Sequence, residues 1–236
     1  MSAVVSTVRL HLNRRAATFI VPLTIAGTVA LISVLIALIF WRSGSQPGSE
    51  GWIYGSQSNP GIVYALLGFL GYLGVSTVAT TFPFALTLGA TRRAFVAGTL
   101  IWDAMMAAYI AVIFAILTAI EIATNHWFVG FYIFDIYVLG GADMPRLLLI
   151  VFLGVLTTLT IGGVFAAGWV RFGALGPQLI AVGVVLALAI AAITLVPQAA
   201  AIATAFQLWW LAAASVTVII LAAIGTWLLL RPAIVR

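Results

Sequence analysis

The chain contains no cysteine and no lysine, and only 6% of its 236 residues are charged. The absence of cysteine excludes disulfides, thiol chemistry and cysteine-based zinc sites. The absence of lysine excludes the lysine of an ATP-binding Walker A loop and any Schiff base. This charged fraction is also far below that of water-soluble domains, in which about 25% of residues are charged.

Most of the chain is hydrophobic: 64% of its residues are of this kind, and the mean hydropathy is +1.26. Apolar segments long enough to cross about 30 Å of hydrocarbon recur along the chain. We predict an all-α integral membrane protein, a single transmembrane domain over 1–236 without a separate soluble domain. The predicted crossings are six helices at about 19–41, 61–82, 95–123, 147–169, 177–196 and 207–230.

The regions outside the predicted crossings differ in character. Segment 1–18 carries Val5, Val8 and Leu12 at helical spacing, which predicts an amphipathic helix lying on the membrane surface. The apolar run that follows is longer than a signal-peptide core of about 7–15 residues, so we expect a membrane helix there. Region 42–60 is expected to be an exposed loop, and 125–146 an interfacial helix or loop at head-group level. Region 197–206 is expected to be a short connection.

The distribution of arginine predicts the orientation in the membrane. Six crossings place both termini on one side. The arginines expected on that side are Arg9, Arg14, Arg15, Arg92, Arg93, Arg171, Arg231 and Arg236, with only Arg42 and Arg146 on the other. The positive-inside rule therefore predicts cytoplasmic termini. Because the arginines lie at segment ends, we attribute the pI of 10.2 to topology and expect no nucleic-acid partner.

Residues for catalysis are scarce. His11 and His126 are predicted on opposite sides of the membrane, so they cannot share a metal within one chain. No G-x-S-x-G nucleophile motif is present. We expect no enzymatic activity, no cofactor and no metal on this chain.

Polar residues within the predicted helices have two interpretations each. Asp103 either pairs with an arginine or relays protons, or it forms a hydrogen bond that locks helix packing. Hydroxyl residues follow glycines in the second and fourth helices, where small residues favour close helix packing and hydroxyls could line a substrate path. These hydroxyl residues are Ser76, Thr77, Thr80, Thr157 and Thr158.

Two polar interruptions fall at predicted cytoplasmic connections. The first, which we call the arginine turn, is residues 86–95, LTLGATRRAF, and the second is residues 169–176, WVRFGALG. Their candidate contact residues are Gly89, Thr91, Arg92, Arg93 and Phe95 in the first, and Arg171, Phe172 and Gly173 in the second. Such a turn suits contact with a soluble partner, and it equally suits a plain topology anchor.

These features resemble the membrane subunits of bacterial ABC exporters of the ABC type-2 permease kind, which share the ABCG-like (type V) exporter fold. The arginine turn is similar to the family pattern Leu-Gly-x-(Ser/Thr)-Arg-(Arg/Lys)-x-(Phe/Tyr), and the second turn to its Arg-(Phe/Tyr)-Gly turn. The amphipathic N-terminal segment and six helices with cytoplasmic ends are also similar. One departure is that the longer outer segment lies between helices three and four here, whereas many relatives carry it between helices five and six.

The resemblance implies that the arginine turn is a coupling helix that contacts an ATP-hydrolysing subunit through the residues given above. It also implies a homo- or heterodimer of membrane subunits in membrane lipid, with two separate ABC ATPase subunits that carry ATP and Mg. The expected function is export of a hydrophobic or amphipathic drug, lipid, peptide or antibiotic across the bacterial plasma membrane by alternating access. Two alternatives stay open: a non-transport membrane immunity or scaffold protein, and a proton-coupled secondary carrier that uses Asp103.

Overall fold

The computed structural model describes residues 3–233, without the side chains of residues 128 and 129. Across that range the chain is helical and contains no strand. The α-helices are α1 Ala3–Leu12, α2 Val21–Arg42, α3 Glu50–Gln57, α4 Gly61–Ala79, α5 Thr81–Thr87, α6 Arg92–Ala123, α7 Met144–Phe172, α8 Leu175–Leu195, α9 Ala199–Ala205 and α10 Trp209–Leu230. Short π or 3-10 turns occur at Ala16–Ile20, His126–Gly130, Tyr137–Leu139 and Val196–Gln198.

Six helical stretches of the described chain are long and apolar enough to cross a membrane. They are Ala16–Arg42, Glu50–Thr87, Arg92–Ala123, Met144–Phe172, Leu175–Ala205 and Trp209–Leu230. The expectation of an all-helical chain with six apolar crossings is confirmed. The cytoplasmic location of both termini stays a prediction. Arg236, one of the arginines on which that prediction rests, lies outside the described residues, as do positions 1 and 2 of the predicted surface helix.

The connections depart from the expected loops in two places. Region 42–60 contains helix α3, which Ser49 begins: its hydroxyl accepts the Trp52 N–H at 3.4 Å, and Glu50 follows in the first turn. Region 197–206 forms the 3-10 turn and helix α9 that extend the fifth crossing to Ala205.

The short helix between the second and third crossings also lies elsewhere than expected. It is α5, upstream of most of the arginine turn, whereas Arg92, Arg93 and Phe95 form the first turn of α6. A proline at position 83 has no N–H to donate to the Ala79 carbonyl, so the preceding helix breaks before α5 begins.

The chain divides into two compact units, here called unit 1 and unit 2. Unit 1 comprises the chain to His11, residues 72–101 and the chain from Thr157 onward. Unit 2 comprises Leu12–Gly71 and Trp102–Leu156.

Unit 1 is held together by close backbone contact and by a compact apolar core. Gly74 and Gly162 permit that contact, since a Cβ on Gly74 would lie 2.6 Å from the Leu159 carbonyl oxygen and one on Gly162 would lie 2.9 Å from the Gly74 Cα. The core joins helices α4, α5, α6, α7 and α10. It consists of Val78, Phe82, Ala85, Phe95, Val96, Ala166, Ala167, Leu230 and Ala233.

Unit 2 is organised around one buried carboxylate, that of Glu121 near the end of α6. Its Oε1 accepts the backbone N–H of Ile133 at 3.0 Å and of Asp135 at 3.3 Å. Its Oε2 accepts the Phe134 N–H at 2.8 Å and the Trp127 indole N–H at 3.0 Å. Four donors satisfy an acid that would otherwise be costly to bury.

These bonds fold the segment after α6 back into unit 2 as a buried loop, where the sequence predicted an interfacial helix or loop. Asn125, His126 and Trp127 all have positive φ, a conformation that non-glycine residues rarely adopt in succession. A contact of 3.2 Å between His126 Nε2 and Asp135 Oδ2 closes the loop. The carboxylate of Glu121 therefore holds a loop whose backbone is strained.

We predict that Glu121→Ala lowers the melting temperature of the detergent-solubilised protein by at least about 6 °C. The change leaves four N–H groups without an acceptor, and the three backbone groups among them are buried, at about 1–3 kcal/mol each. About 3 kcal/mol of lost stability corresponds to such a shift in a chain of this size. The matched control is Glu50→Ala, which removes an exposed acid in the first turn of α3 and should cost no more than about 1 kcal/mol. Equal melting temperatures for the two variants would contradict the assignment.

Candidate functional site

The arginine turn is a short, well-defined connection between α5 and α6. Gly89 adopts φ +82°, a left-handed conformation that glycine takes without steric strain. Thr91 then begins α6, since its hydroxyl accepts the Ala94 N–H at 3.2 Å. These two residues fix where the chain reverses and where α6 starts.

Several side chains of α5 and the arginine turn are exposed. Phe84 is 52% and Leu88 66% exposed, and Thr87, Thr91 and Arg93 are also exposed. Exposed apolar side chains beside one guanidinium form a mixed surface of the kind that protein interfaces use. Of the two adjacent arginines, Arg93 is the one whose side chain belongs to this surface.

Phe95 lies beneath the turn and not on its surface. Its ring is fully buried, 5.1 Å from that of Phe82 and 5.8 Å from that of His11, both in edge-on geometry. Phe95 is among the residues predicted to contact a partner, but contact through this ring would require the turn to open. Its place in the structure is to support the turn from within unit 1.

Arg92 binds the end of the last helix. Its guanidinium donates to the carbonyl oxygen of Leu230 at 3.0 Å and to that of Arg231. Helix C-termini leave their last carbonyl groups without partners, and a cation there also interacts favourably with the helix dipole. Arg92 therefore ties the arginine turn to α10, a contact between residues 138 positions apart that sequence spacing does not reveal.

The second predicted turn lies in the same unit. A Cβ on Gly176 would lie 2.1 Å from the Gly168 carbonyl oxygen, so α7 and α8 meet in backbone contact, and Gly173 has φ +62°. The Arg171 guanidinium lies 4.7 Å from the centroid of the Phe172 ring. Val170, just before them, packs against the core that contains Phe95. The structure thus brings the two predicted turns to one apolar core.

Helix α1 packs against the start of α6, a contact that the sequence analysis missed. A Cβ on Gly98 would lie 2.6 Å from the Thr7 Cβ, and the ring nitrogen Nε2 of His11 is 3.1 Å from the Thr99 hydroxyl. The buried residues of α1 are Thr7 and His11, while Val5, expected on its apolar face, is exposed. Because this contact is made by small and polar residues at short range, hydropathy alone does not predict that α1 packs against α6.

The hydroxyls proposed as pathway or packing groups bond mainly to their own helices. The Thr77 hydroxyl donates to the Leu73 carbonyl at 2.6 Å, that of Ser76 to the same carbonyl at 3.1 Å, and that of Thr80 to the Ser76 carbonyl at 2.6 Å. Such bonds satisfy the hydroxyls, of which those of Ser76 and Thr77 are buried, without a ligand. They support the packing interpretation for the second crossing. In the fourth crossing, Thr157 and Thr158 are half-buried.

Comparison with protein-family models, with curated proteins and with solved structures finds no match to this chain.

Asp103 lies in unit 2 and is buried. Only 3% of it is exposed, and its Oδ1 has no hydrogen-bond partner among the described residues. In the same described part of the chain, no group of three or more His, Cys, Asp or Glu side chains could hold a metal ion. Asp103 is therefore a buried acid well inside a membrane-spanning helix, a position in which an acid is costly.

Proposed function

We propose that this chain is the membrane-spanning permease subunit of an ATP-driven ABC exporter in a bacterial plasma membrane. The observation that carries the proposal is the arginine turn, which exposes Arg93 and apolar side chains above a compact apolar core. Because the chain has no lysine with which to bind ATP in a Walker A loop, the proposal assigns ATP hydrolysis to a separate subunit. The transported molecule is hydrophobic or amphipathic: a drug, lipid, peptide or antibiotic.

In this proposal, the packing of unit 1 transmits a displacement of the arginine turn to the helices that contact it. Phe82 and Phe95 join α5 to the start of α6, and Arg92 joins the same turn to the end of α10. A partner that moves the turn therefore moves these helix ends together. Rigid-body shifts of this kind are a common basis of alternating access.

Helix α8 supports assembly with a second permease subunit. Between 181 and 190 every residue of α8 is exposed, with a surface made only of glycine, alanine and larger aliphatic side chains. Small residues allow membrane helices to approach closely, so such a surface suits another helix as well as lipid. In this proposal two permease subunits meet through membrane helices and each receives one ATPase subunit.

We predict that Arg93→Glu removes the ATPase subunit from the purified complex. The test uses the tagged chain co-expressed with its ATPase partner, which the proposal expects in a neighbouring reading frame as a soluble chain with a Walker A loop. The complex is reconstituted in lipid nanodiscs, with co-purified MgATP hydrolysis as the readout. Charge reversal at an interface opposes binding, so hydrolysis per permease should fall by at least about tenfold. The melting temperature should stay within about 2 °C of wild type, since a surface change away from packed contacts has little effect on stability.

The matched control is Arg42→Glu, the same charge reversal at the exposed end of α2, on the side predicted to face outward. It should leave the co-purified hydrolysis unchanged. Arg92→Gln distinguishes the roles of the two adjacent arginines, because it removes the cap on α10 and should lower the melting temperature. Equal hydrolysis in wild type and Arg93→Glu, or no hydrolysis with either, would contradict the proposal.

A second candidate function, a proton-coupled carrier, is favoured by one observation, the buried Asp103 whose Oδ1 lacks a partner among the described residues. Membrane-buried acids of this kind mark proton paths in pumps and carriers. It ranks second because proton relays use several facing polar groups, and the hydroxyls of Ser76 and Thr77 are bonded to their own helix.

Asp103→Asn separates the two functions. In proteoliposomes with an internal pH dye and an imposed pH gradient, the exporter proposal predicts no proton flux above empty vesicles for either wild type or the variant. A carrier would show wild-type flux that Asp103→Asn abolishes and the exposed-site control Asp143→Asn retains. Proton flux in wild type and Asp143→Asn, but not in Asp103→Asn, would contradict the exporter proposal and support the carrier.

A further inference from the structure

Unit 2 contains a cavity at the end of the first crossing. Its volume is about 510 Å³, within the range of small-molecule sites, which is about 300–1,000 Å³. Ile36 and Phe40 of α2 form an apolar wall, and α3 contributes Trp52 together with Gly51 and Gly55. The cavity therefore lies beside a membrane-spanning helix and beside the polar connection that follows it.

The cavity is formed in advance by contacts of its own walls. The Trp52 indole N–H donates to the Gly130 carbonyl at 2.8 Å, and the Trp52 ring meets that of Phe131 edge-on with centroids 5.5 Å apart. Both aromatic residues are buried. The loop held by Glu121 thus closes one side of the cavity, and a ligand need not order these walls on binding.

The polar groups of the cavity are uncharged. The polar side chains among its described lining residues are those of Ser45, Ser49, Ser56 and Asn59, and none of the lining residues is ionisable. The Asn59 oxygen accepts the Gly61 N–H at 2.9 Å, so its NH₂ group is the part suited to donate to a ligand. The Ser56 hydroxyl donates to the Trp52 carbonyl at 2.9 Å, which leaves its oxygen as an acceptor.

Glycine at two successive turns of α3 keeps the cavity open. A Cβ built on Gly51 or on Gly55 meets no atom within 4 Å, so neither glycine is required for backbone packing. Both lie in regular helix, where glycine is less stable than alanine by about 1 kcal/mol. Larger side chains at these two positions would therefore extend into open space beside the cavity.

We propose that this cavity binds an uncharged amphiphile with a hydroxyl-rich head group and an alkyl chain, of the alkyl-glycoside kind. The alkyl chain lies against Ile36 and Phe40, and the head group exchanges hydrogen bonds with Asn59 and Ser56 beside the Trp52 and Phe131 rings. A charged head group would enter without a partner of opposite charge, at a large desolvation cost. The assignment does not depend on ATP coupling and holds whether or not the chain is an exporter subunit.

The test is photolabelling of the full-length protein in phosphatidylcholine nanodiscs. The probe is octyl β-glucoside with a diazirine in its alkyl chain, and the readout is the labelled fraction of the peptides that contain residues 36–59 and 131. Labelling of wild type should saturate, and excess unlabelled octyl β-glucoside should abolish it. Methyl β-glucoside, which has the head group alone, should not compete at the same concentration, and an octyl sulfate diazirine should not label these peptides saturably.

Gly55→Leu fills the cavity and should reduce saturable labelling by at least about tenfold. Gly51→Leu repeats the test at a second position. Gly183→Leu, the same change at an exposed glycine of α8, should label like wild type. Labelling that is non-saturable, equal for the sulfate probe, displaced by methyl β-glucoside or unchanged in Gly55→Leu would overturn the assignment, and the probe comparisons need only the wild-type protein.

Discussion

The bond between the Arg92 guanidinium and the carbonyl oxygens that end α10 is the interaction on which the functional account depends. It joins a turn between α5 and α6 to the last residue of α10, which is 138 positions later in the chain. Beneath the turn, the Phe95 ring of α6 packs edge-on against the rings of Phe82 in α5 and His11 in α1. A turn that is capped from one side and packed from below can transmit force, whereas a loosely attached loop would yield to it.

The few acids of this chain differ sharply in their surroundings. Of the five acids in the chain, Glu121 is wholly buried and accepts four N–H bonds, while Asp103 is buried with one oxygen that lacks a partner among the described residues. Glu121 holds the loop after α6 in place, and the Gly130 carbonyl of that loop accepts the indole N–H of Trp52, which lines the cavity. Asp103 has no comparable set of hydrogen bonds among the described residues. It is the residue on which the proton-carrier alternative rests, and the exporter proposal does not use it.

Hydropathy was sufficient to predict the membrane class and six apolar crossings, because a helix in hydrocarbon must satisfy its own backbone and present apolar side chains. It could not predict the interior contacts. The link from Arg92 to Leu230 and the burial of Phe95 depend on residues far apart in the chain, and Phe95 beside two arginines is typical of an exposed turn. Helix α3 was missed because its glycines and serines are typical of loops, and only the Ser49 cap and Glu50 indicate a helix start. The burial of the loop after α6 was not predicted, because one carboxylate holds it through backbone N–H groups, which no side-chain pattern reveals.

The measurement that tests the central claim most directly is the side of the membrane from which the arginine turn can be reached. Because the chain has no cysteine, Thr87→Cys and Ser58→Cys each introduce a unique thiol at an exposed position. A membrane-impermeant maleimide applied to intact cells should label Ser58→Cys, and should label Thr87→Cys only after the cells are permeabilised. Labelling of Thr87→Cys in intact cells would place the turn outside the cytoplasm, out of reach of any ATPase subunit, and would contradict the account.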